Sequence, residues 1–556
     1  MRALYIVGFL FAVVTLWAVT TSPPQSNDSH GTISTGQGIP AQTNRSVAEK
    51  RAMAIAFVEK QMQEHPIPGL SLSVVYKNET VIAQGFGTKQ FGKTNTPVTA
   101  STLFQIGSYT KTFIALGIAK LVGHFRVDEG VMQWTDSVKQ HLPWFELIDK
   151  YAEKYTTIGD LLAMNSVFGN HDGDTTWMVG VYPTEKDLVK SFRHINTTRS
   201  LRPGYAYSNL NFEILGQVIA EATKQTWMAY IKATYLDPLG MNETFSQPAD
   251  APIKDDLSFG HFTCGGKLIG PYDLLTSTMM AVTPANANFA ARSITTSAND
   301  LAKLSHFLFA RATASSDHPN HPRHDDRSSH FEALESTSKS KGYQSPHENP
   351  VAAGYGFDVV GNVMYGFDYY EKGGDTMAFK LRNGFIPSEG LAITVGTNVE
   401  CSELVTSAER FLVERMRSYL LGIFLDVPVH ELDAAFLRAS ANLPPAVPGT
   451  CDPHYFGGEP WGPHGATIPV AVQDKLVGTY VVTESPVYYG NITVFKTNAS
   501  ALFLRWGVYT APVVATADPT AFAVAIEIGA VAFPLQVDGL NTTKPTLSVT
   551  GAPIAA

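Results

Sequence analysis

The alternation of apolar and polar positions predicts one helix and two strands near the start of the first long segment. Between Ser46 and about Gln63, apolar residues recur at the spacing of one helix face, which is typical of an amphipathic helix. The runs 70–76 and 80–87 are rich in aliphatic residues and predict two strands. Lys77-Asn78-Glu79 separates them and predicts a hairpin turn.

The long region that follows mixes helical and strand patterns up to about residue 425. Apolar helical runs at 113–122 and 300–309 lie between those early strands and late strands such as 390–397. This arrangement predicts an α/β sandwich over 46–425, in which helices flank a largely antiparallel sheet. The stretch 311–350 is rich in Ser, His, Asp and Pro and nearly free of aliphatic residues, so we interpret it as a disordered surface insertion.

The end of the chain has a different pattern. Residues 426–470 are rich in proline and indicate a linker. From 471 to 556, short runs of Val, Thr, Ala, Tyr and Phe alternate with turn residues, and no helical period is present. We therefore predict a C-terminal all-β domain, either a barrel or a sandwich.

The N-terminal pattern points to the secretory pathway. Arg2 precedes an uncharged apolar run, so residues 1–21 are typical of a signal peptide or, if they are not cleaved, of a signal anchor. Residues 22–45 are rich in Ser, Thr, Gln and Pro and predict a flexible stalk. Sequons of the type N-x-Ser/Thr begin at Asn27, Asn44, Asn78, Asn196, Asn242, Asn491, Asn498 and Asn541. Together these features predict a secreted glycoprotein; the alternative is a membrane-anchored protein that faces away from the cytosol.

Composition excludes several classes of protein. The chain has 41 Lys plus Arg against 50 Asp plus Glu, a net charge of −9, which argues against a nucleic-acid-binding protein. Three cysteines in 556 residues, without a C-x-x-C pair, argue against a disulfide scaffold and a structural zinc site. One disulfide, for which Cys401 and Cys451 are the first choice because they flank the end of the first large domain, and three free thiols both remain open. We interpret the histidines of 311–350 as part of a solvated loop, and expect neither metal ion nor cofactor.

The first candidate for chemistry is an S-x-x-K motif, Ser108 to Lys111. Gly107 permits a turn and an apolar helical run follows, so Ser108 is expected at a helix N-terminus with Lys111 one turn later on the same face. There the amide of Ser108 could stabilise an oxyanion. A partly desolvated Lys111 amine loses its proton more readily, and could act as the base for the serine. The alternative is a helix-capping serine followed by a surface lysine.

The second candidate is Tyr207-Ser208-Asn209, which precedes another helix-like run. Pro203-Gly204 marks a turn, so Tyr207 and Asn209 are expected on a loop that enters a helix. A phenol between two ammonium groups would have a lowered pKa and could exchange protons with the serine or the leaving group. Asn209 offers an amide to the substrate. The alternative is a tyrosine packed at a helix entrance, with the asparagine as its cap.

The third candidate is Lys372-Gly373-Gly374-Asp375, within a predicted hairpin. The two glycines would let a substrate approach the backbone of an edge strand. The amide of Asp375 could be a second oxyanion donor, and Lys372 would hold positive potential over the site. The alternative is a glycine-rich turn with a solvated lysine.

These three motifs, in this order, resemble those of the serine β-lactamase and penicillin-binding-protein superfamily. The resemblance is strongest to the class C β-lactamase-like group, which includes DD-peptidases, esterases and D-aminopeptidases. It extends to the segments 157–166, 292–303 and 355–357 and covers about 47–425. It implies a β-lactamase-like fold with an additional all-α subdomain, and the C-terminal β domain looks like the lipocalin-like domains that often follow this catalytic domain.

The resemblance also implies a role for each motif residue. Ser108 would be the nucleophile that forms the acyl-enzyme, and Lys111 and Tyr207 would handle its proton. The amides of Ser108 and Asp375 would form the oxyanion hole.

By the same resemblance, Asn209, Lys372, Gly373 and Gly374 would bind the substrate. The chain departs from the family where Ser166-Val167 replaces Ser-Gly, and where Thr376-Met377 follows the third motif.

Two functions follow from these motifs. The first is a secreted serine hydrolase that acts on a small amide, peptide or ester through an acyl-enzyme on Ser108. The second is a catalytically silent protein that keeps the fold for binding or assembly, because fold and function can separate.

Overall fold

The computed structural model describes most of the chain between residues 43 and 549. The described residues are 43–123, 132–169, 182–264, 267–277, 280, 282–284, 289–314, 352–401, 411–441, 468–481, 485–497, 501–507, 509–515, 521–525, 532–540, 542 and 545–549. The predicted signal segment, nearly all of the stalk, most of the insertion and Cys451 lie outside these residues. No described helix is long and apolar enough to cross a membrane.

The helices and strands are numbered in chain order. The helices are α1 Val47–Glu64, α2 Thr110–Gly123, α3 Val138–His141, α4 Lys150–Tyr155, α5 Ile158–Leu162, α6 Glu185–Ser191, α7 Leu210–Thr223, α8 Trp227–Ile231, α9 Asp237–Leu239, α10 Phe289–Arg292, α11 Ala298–Ala314, α12 Leu412–Phe424, α13 Val429–Ala441, α14 Val470–Leu476 and α15 Pro486–Tyr489. The strands are β1 Gly69–Tyr76, β2 Glu79–Gly87, β3 Phe104–Gln105, β4 Gly260–Cys264, β5 Lys267–Tyr272, β6 Thr295–Thr296, β7 Ala352–Gly354, β8 Phe357–Met364, β9 Phe367–Glu371, β10 Gly374–Asp375, β11 Lys380–Ile386, β12 Leu391–Thr397, β13 Val399–Cys401, β14 Gly478–Val481, β15 Asn491–Lys496, β16 Leu502–Trp506, β17 Tyr509–Ala515, β18 Ala521–Ala525, β19 Ala532–Asp538 and β20 Thr546–Val549.

The largest sheet confirms the predicted α/β sandwich. Its strands run in the order β2-β1-β12-β11-β9-β8-β7, with β10 paired to β11, and the pairs are antiparallel. Strand β1 is buried along its whole length, because helices cover both sides of the sheet. Leu70, Leu72 and Val74 belong to a core shared with α1 and α12, whereas Val75 belongs to the core that includes α11. This alternation follows from the two-residue period of a strand.

A layer of helices beyond α2 forms the all-α part of the fold. Helix α2 packs on α7, α8 and α10. Because it is surrounded by these helices, it is apolar on nearly every side and its mean hydropathy is high. Phe113, Ile114 and Ile118 are fully buried in this layer, as are Phe212 and Ile219 of α7. The sandwich and the helical layer meet at the start of α2, which is where Ser108 lies.

The described part of the C-terminal region consists of β-strands and the short helices α14 and α15, and its sheet confirms the predicted all-β domain. Strands β14 to β20 form an antiparallel meander in sequence order, with alternating buried positions such as Ile492 and Val494. Its short helix α15 contacts the helical layer: Tyr182 donates a hydrogen bond to the Tyr488 carbonyl over 2.7 Å, and Ser485 donates to the His194 carbonyl over 2.6 Å.

The first part of the predicted linker 426–470 contains a helix, α13, which the sequence analysis did not predict. Helix α13 packs on α12 through Leu432, which is 1% exposed, and through Phe436, whose ring meets Tyr419 edge-on at 5.9 Å. The Pro428 carbonyl accepts hydrogen bonds from the first turn, so this proline lies just before the helix, where it costs nothing.

Candidate active site

Ser108 lies in the short 3-10 turn Gly107–Tyr109, which runs directly into α2. Lys111, in the first turn of α2, is completely buried. Its Nζ donates to Ser108 Oγ over 3.0 Å, to Asn209 Oδ1 over 2.7 Å and to the Ala291 carbonyl over 3.0 Å. These three acceptors match the three N–H groups of an ammonium and fix the lysine against the serine. The alternative of a surface lysine does not fit this burial.

Tyr207 completes the group around the serine oxygen. Its hydroxyl lies 2.7 Å from Ser108 Oγ. The ammonium groups of Lys111 and Lys372 lie 4.9 Å and 5.0 Å from the centre of its ring, a distance at which a cation is attracted to an aromatic face. Asn209 precedes α7, but its side chain does not cap that helix; it accepts from Lys111 instead. The ring of Tyr207 therefore lies close to two cationic groups.

Helix α5 and the turn after it hold the Tyr207 loop in place. Asp160 is fully buried and accepts hydrogen bonds from Arg202 at 2.7–3.0 Å. Burial alone would raise the pKa of this carboxyl, but the hydrogen bonds from Arg202 and Thr157 lower it. Asn165 Oδ1 accepts from the Gly204 amide over 2.9 Å. The segment 157–166, known from the sequence only as a family resemblance, is thus a structural support for the second motif.

Two glycines bring the third motif against the Ser108 turn. A Cβ on Gly374 would lie 1.8 Å from the Ile106 carbonyl oxygen, and a Cβ on Gly107 would lie 2.7 Å from the Asp375 nitrogen. Only residues without a side chain allow this approach. The amide of Asp375 consequently lies beside the turn that carries the Ser108 amide.

The Asp375 carboxylate takes part in a largely buried charge network. Arg382 donates to both of its oxygens, over 2.6 Å and 2.9 Å, and to Glu414 over 2.7 Å. Lys380 lies 3.5 Å from Glu400 and 3.7 Å from Glu414. Burial would raise the pKa of Glu414, but Arg382 and Lys380 lower it to about 2, whereas burial raises the pKa of Glu400 to about 8. This network ties β10 to β11 and α12.

Lys372 is also buried, with only 1% of its side chain exposed, so it is not a solvated lysine. Its amide donates to Asn383 Oδ1 over 2.9 Å, and its Nζ donates to Asp358 Oδ2 over 2.6 Å. Sequence reasoning missed Asp358, although this residue directly follows the Tyr355-Gly-Phe segment. Nothing in the local pattern shows that its partner is a lysine 14 residues away.

A second acid missed by the sequence lies behind Lys111. Glu213 of α7 is buried and accepts from the Ala291 amide over 3.0 Å, while the Ala291 carbonyl accepts from Lys111. Burial raises the pKa of Glu213 well above its usual range, and the nearby Glu185 raises it further. Burial also lowers the pKa of the adjacent Arg292 to about 9. Glu213 therefore holds the backbone that positions the lysine.

The described residues hold no group of three or more His, Cys, Asp or Glu side chains placed to bind a metal ion. The Ser108 hydroxyl receives two hydrogen bonds, from Lys111 and Tyr207, and lies close to the backbone amides of Ser108 and Asp375.

Comparisons with known proteins place this arrangement in context. The family model described as Beta-lactamase matches residues 54–413. The Protein flp of Staphylococcus aureus (strain COL) is 29% identical over 211 residues, which cover 36% of this chain and 39% of that protein. The Unguisins hydrolase ungD' of Aspergillus campestris (strain IBT 28561) is 30% identical over 197 residues, 35% of this chain and 36% of that protein. The chain thus spans about two fifths of the length of these curated relatives.

A solved structure extends the similarity of fold beyond the family model. The octameric penicillin-binding protein homologue from Pyrococcus abyssi has a TM-score of 0.52 and 19% sequence identity, and the match covers 89% of this chain and 97% of that one. At this level of identity the comparison concerns the fold alone.

Proposed function

The chain belongs to the beta-lactamase family, and from this premise we propose that it is a serine hydrolase that cleaves an amide or ester through an acyl-enzyme on Ser108. The observation that supports this proposal most strongly is the pair of hydrogen bonds on one hydroxyl: Tyr207 at 2.7 Å and Lys111 at 3.0 Å from Ser108 Oγ. Both distances are within the reach required of a catalytic base.

In the proposed reaction, a deprotonated Tyr207 or Lys111 removes the proton of the Ser108 hydroxyl. Oγ then bonds to the substrate carbonyl carbon, and the amides of Ser108 and Asp375 stabilise the oxyanion that forms. The bond to the leaving group breaks as the same base returns the proton to its nitrogen or oxygen. A water molecule then hydrolyses the acyl-enzyme and regenerates the serine.

The substrate class and the location of the protein belong to the same proposal. We expect a small amide, peptide or ester as substrate and a secreted glycoprotein as the mature form. The lipocalin-like nature of the C-terminal domain stays a prediction. The sequon asparagines within the described residues are all exposed, which supports this location: Asn44, Asn78, Asn196, Asn242 and Asn491.

Kinetics on single variants test the proposed reaction. With a panel of p-nitrophenyl esters, we expect Ser108→Ala to lower kcat/KM at least about 10³-fold, because the nucleophile is lost. Tyr207→Phe should lower it about 10²-fold or more, since it removes one proton-transfer group. Ser388→Ala, at an exposed serine in the turn before β12, is the matched control.

Two outcomes would reject the reaction. Turnover that survives Ser108→Ala would exclude Ser108 as nucleophile. A folded wild-type protein without turnover would favour the silent binding protein.

A further inference from the structure

The Lys372–Asp358 ion pair lies beside the ring of Tyr207, so its two charges belong to the candidate site. Lys372 lies over the ring of Tyr207, whose hydroxyl contacts Ser108. Its own side chain is 1% exposed, whereas that of Asp358 is 31% exposed. The two are joined at 2.6 Å. The carboxylate is therefore the solvent-accessible member of this ion pair, and the ammonium is the buried one.

The other charged groups of the site do not reverse this balance. Lys111 is completely buried and donates to three protein oxygens. The Asp375 carboxylate is paired with Arg382, which donates to both of its oxygens. Because the ammonium of Lys372 is already neutralised, a substrate carboxylate would gain little from it and would be repelled by Asp358.

We propose that Asp358 sets the substrate charge: the site accepts acyl groups that end in a neutral or cationic group and discriminates against those that end in a carboxylate. This inference rests on the proposed hydrolysis through Ser108. Asp358 is a specificity-determining residue in this account, and it takes no part in proton transfer.

Three p-nitrophenyl esters with one shared four-carbon spacer, ending in tert-butyl, trimethylammonium or carboxylate, test the inference. For the wild-type protein we expect kcat/KM for the cationic ester to exceed that for the carboxylate ester by about tenfold, the effect of one charge-assisted contact. Asp358→Asn should reduce the cation-to-carboxylate ratio of kcat/KM at least about fivefold. The substitution removes the negative charge that attracts the cationic ester and repels the carboxylate ester, and it keeps the size of the side chain.

Asp368→Asn is the matched control. Asp368 is exposed in the neighbouring strand β9 and pairs with Asn362. Asn362 lies about 13 Å along β8 from Asp358, so the charge of Asp368 is screened from the Asp358 carboxylate. Its substitution should leave the cation-to-carboxylate ratio unchanged.

The outcomes separate this inference from the function on which it rests. A wild-type protein that hydrolyses the carboxylate ester as fast as the cationic one overturns the inference, whether or not the variant folds. An unchanged ratio in folded Asp358→Asn, or an equal change in Asp368→Asn, overturns it as well. If none of the three esters is turned over through Ser108, the proposed function fails and the inference fails with it.

Discussion

At Gly107 the backbone adopts a conformation that the proposed reaction requires. Its φ is +50°, and an added Cβ would meet the Asp375 backbone at 2.5–2.8 Å. We expect Gly107→Ala to push Asp375 away from the Ser108 turn and to lower kcat about 10²-fold, as the loss of one oxyanion donor does. Ester hydrolysis by the purified variant measures this.

Gly92→Ala provides the control for that substitution. Gly92 also has a positive φ, +83°, but a Cβ there meets nothing within 4 Å. Both substitutions place an alanine in left-handed backbone and have that energetic cost. Only Gly107→Ala puts a Cβ against the backbone of Asp375. Equal kcat values for the two would show that the close approach has no part in catalysis.

His261 makes stability depend on pH. It is fully buried, accepts a hydrogen bond at Nε2 from the Phe91 amide over 3.1 Å and lies 2.9 Å from the Asn398 carbonyl through Nδ1. Burial lowers its pKa to about 4. In the unfolded chain, His261 takes up a proton near its ordinary pKa of about 6.5. The contribution of the neutral, buried histidine to the unfolding free energy is therefore complete above that pH. It falls by about 3 kcal/mol as the pH drops toward 4.

Urea unfolding between pH 7 and pH 4 measures the effect of His261. The variant His261→Asn cannot titrate, so its unfolding free energy should decline less steeply over this range than that of the wild-type protein. Parallel curves for the two proteins would contradict the assignment.

Motif residues were predictable from the sequence, and their partners were not. Ser108 and Lys111 are three positions apart, so helix geometry alone brings them together. Asp358 and Glu213 act through groups 14 and 78 residues away. Local patterns hold no information about such contacts, which depend on the finished sheet and helix packing.

At the scale of elements, the charge network around Arg382 holds strand β10 in place. Arg382 links Asp375 of β10 to Glu414 of α12. We expect Arg382→Gln to lower the unfolding free energy by about 2–3 kcal/mol, because it removes the charged hydrogen bonds to Asp375 and leaves Glu414 with Lys380 alone, at 3.7 Å. Chemical denaturation measures this loss.

Arg193→Gln is the comparison for Arg382. Arg193 forms an ion pair with Glu146 at 3.3 Å in which both side chains are about half exposed. Its loss should change the unfolding free energy by less than about 1 kcal/mol. Similar costs for the two substitutions would contradict a supporting role for the buried network.

Helices and strands were predictable from the sequence where the spacing of apolar residues was regular over many positions. The predicted helix at 113–122 is α2, Thr110–Gly123. Helix α13 was missed because prolines surround a short apolar pattern, and only its contact with α12 makes Leu432 and Phe436 a buried face. A proline before a helix and a proline in a linker look the same in sequence.

At the scale of the whole molecule, the C-terminal sheet is joined to the helical layer through α15. Tyr488 is 2% exposed and lies against Tyr182 and Phe192, whereas its neighbour Val487 is 59% exposed. We expect Tyr488→Ala to cost about 3 kcal/mol of unfolding free energy through the cavity it leaves. Val487→Ala should cost less than about 0.5 kcal/mol.

Calorimetry of the two variants tests this contact. Tyr488→Ala should unfold at a lower temperature than Val487→Ala. Identical transitions would mean that the C-terminal sheet is not held by this contact. The sequence predicted an all-β region here but not its attachment, because the joining residues are hundreds of positions apart in the chain.

The central claim, that Ser108 is an activated nucleophile, is tested most directly by covalent labelling. The protein is incubated with a fluorophosphonate, and its intact mass and digested peptides are measured. The account predicts one adduct per chain, located on Ser108 and absent from Ser108→Ala. A folded protein that takes up no label, or one labelled at another residue, would contradict it.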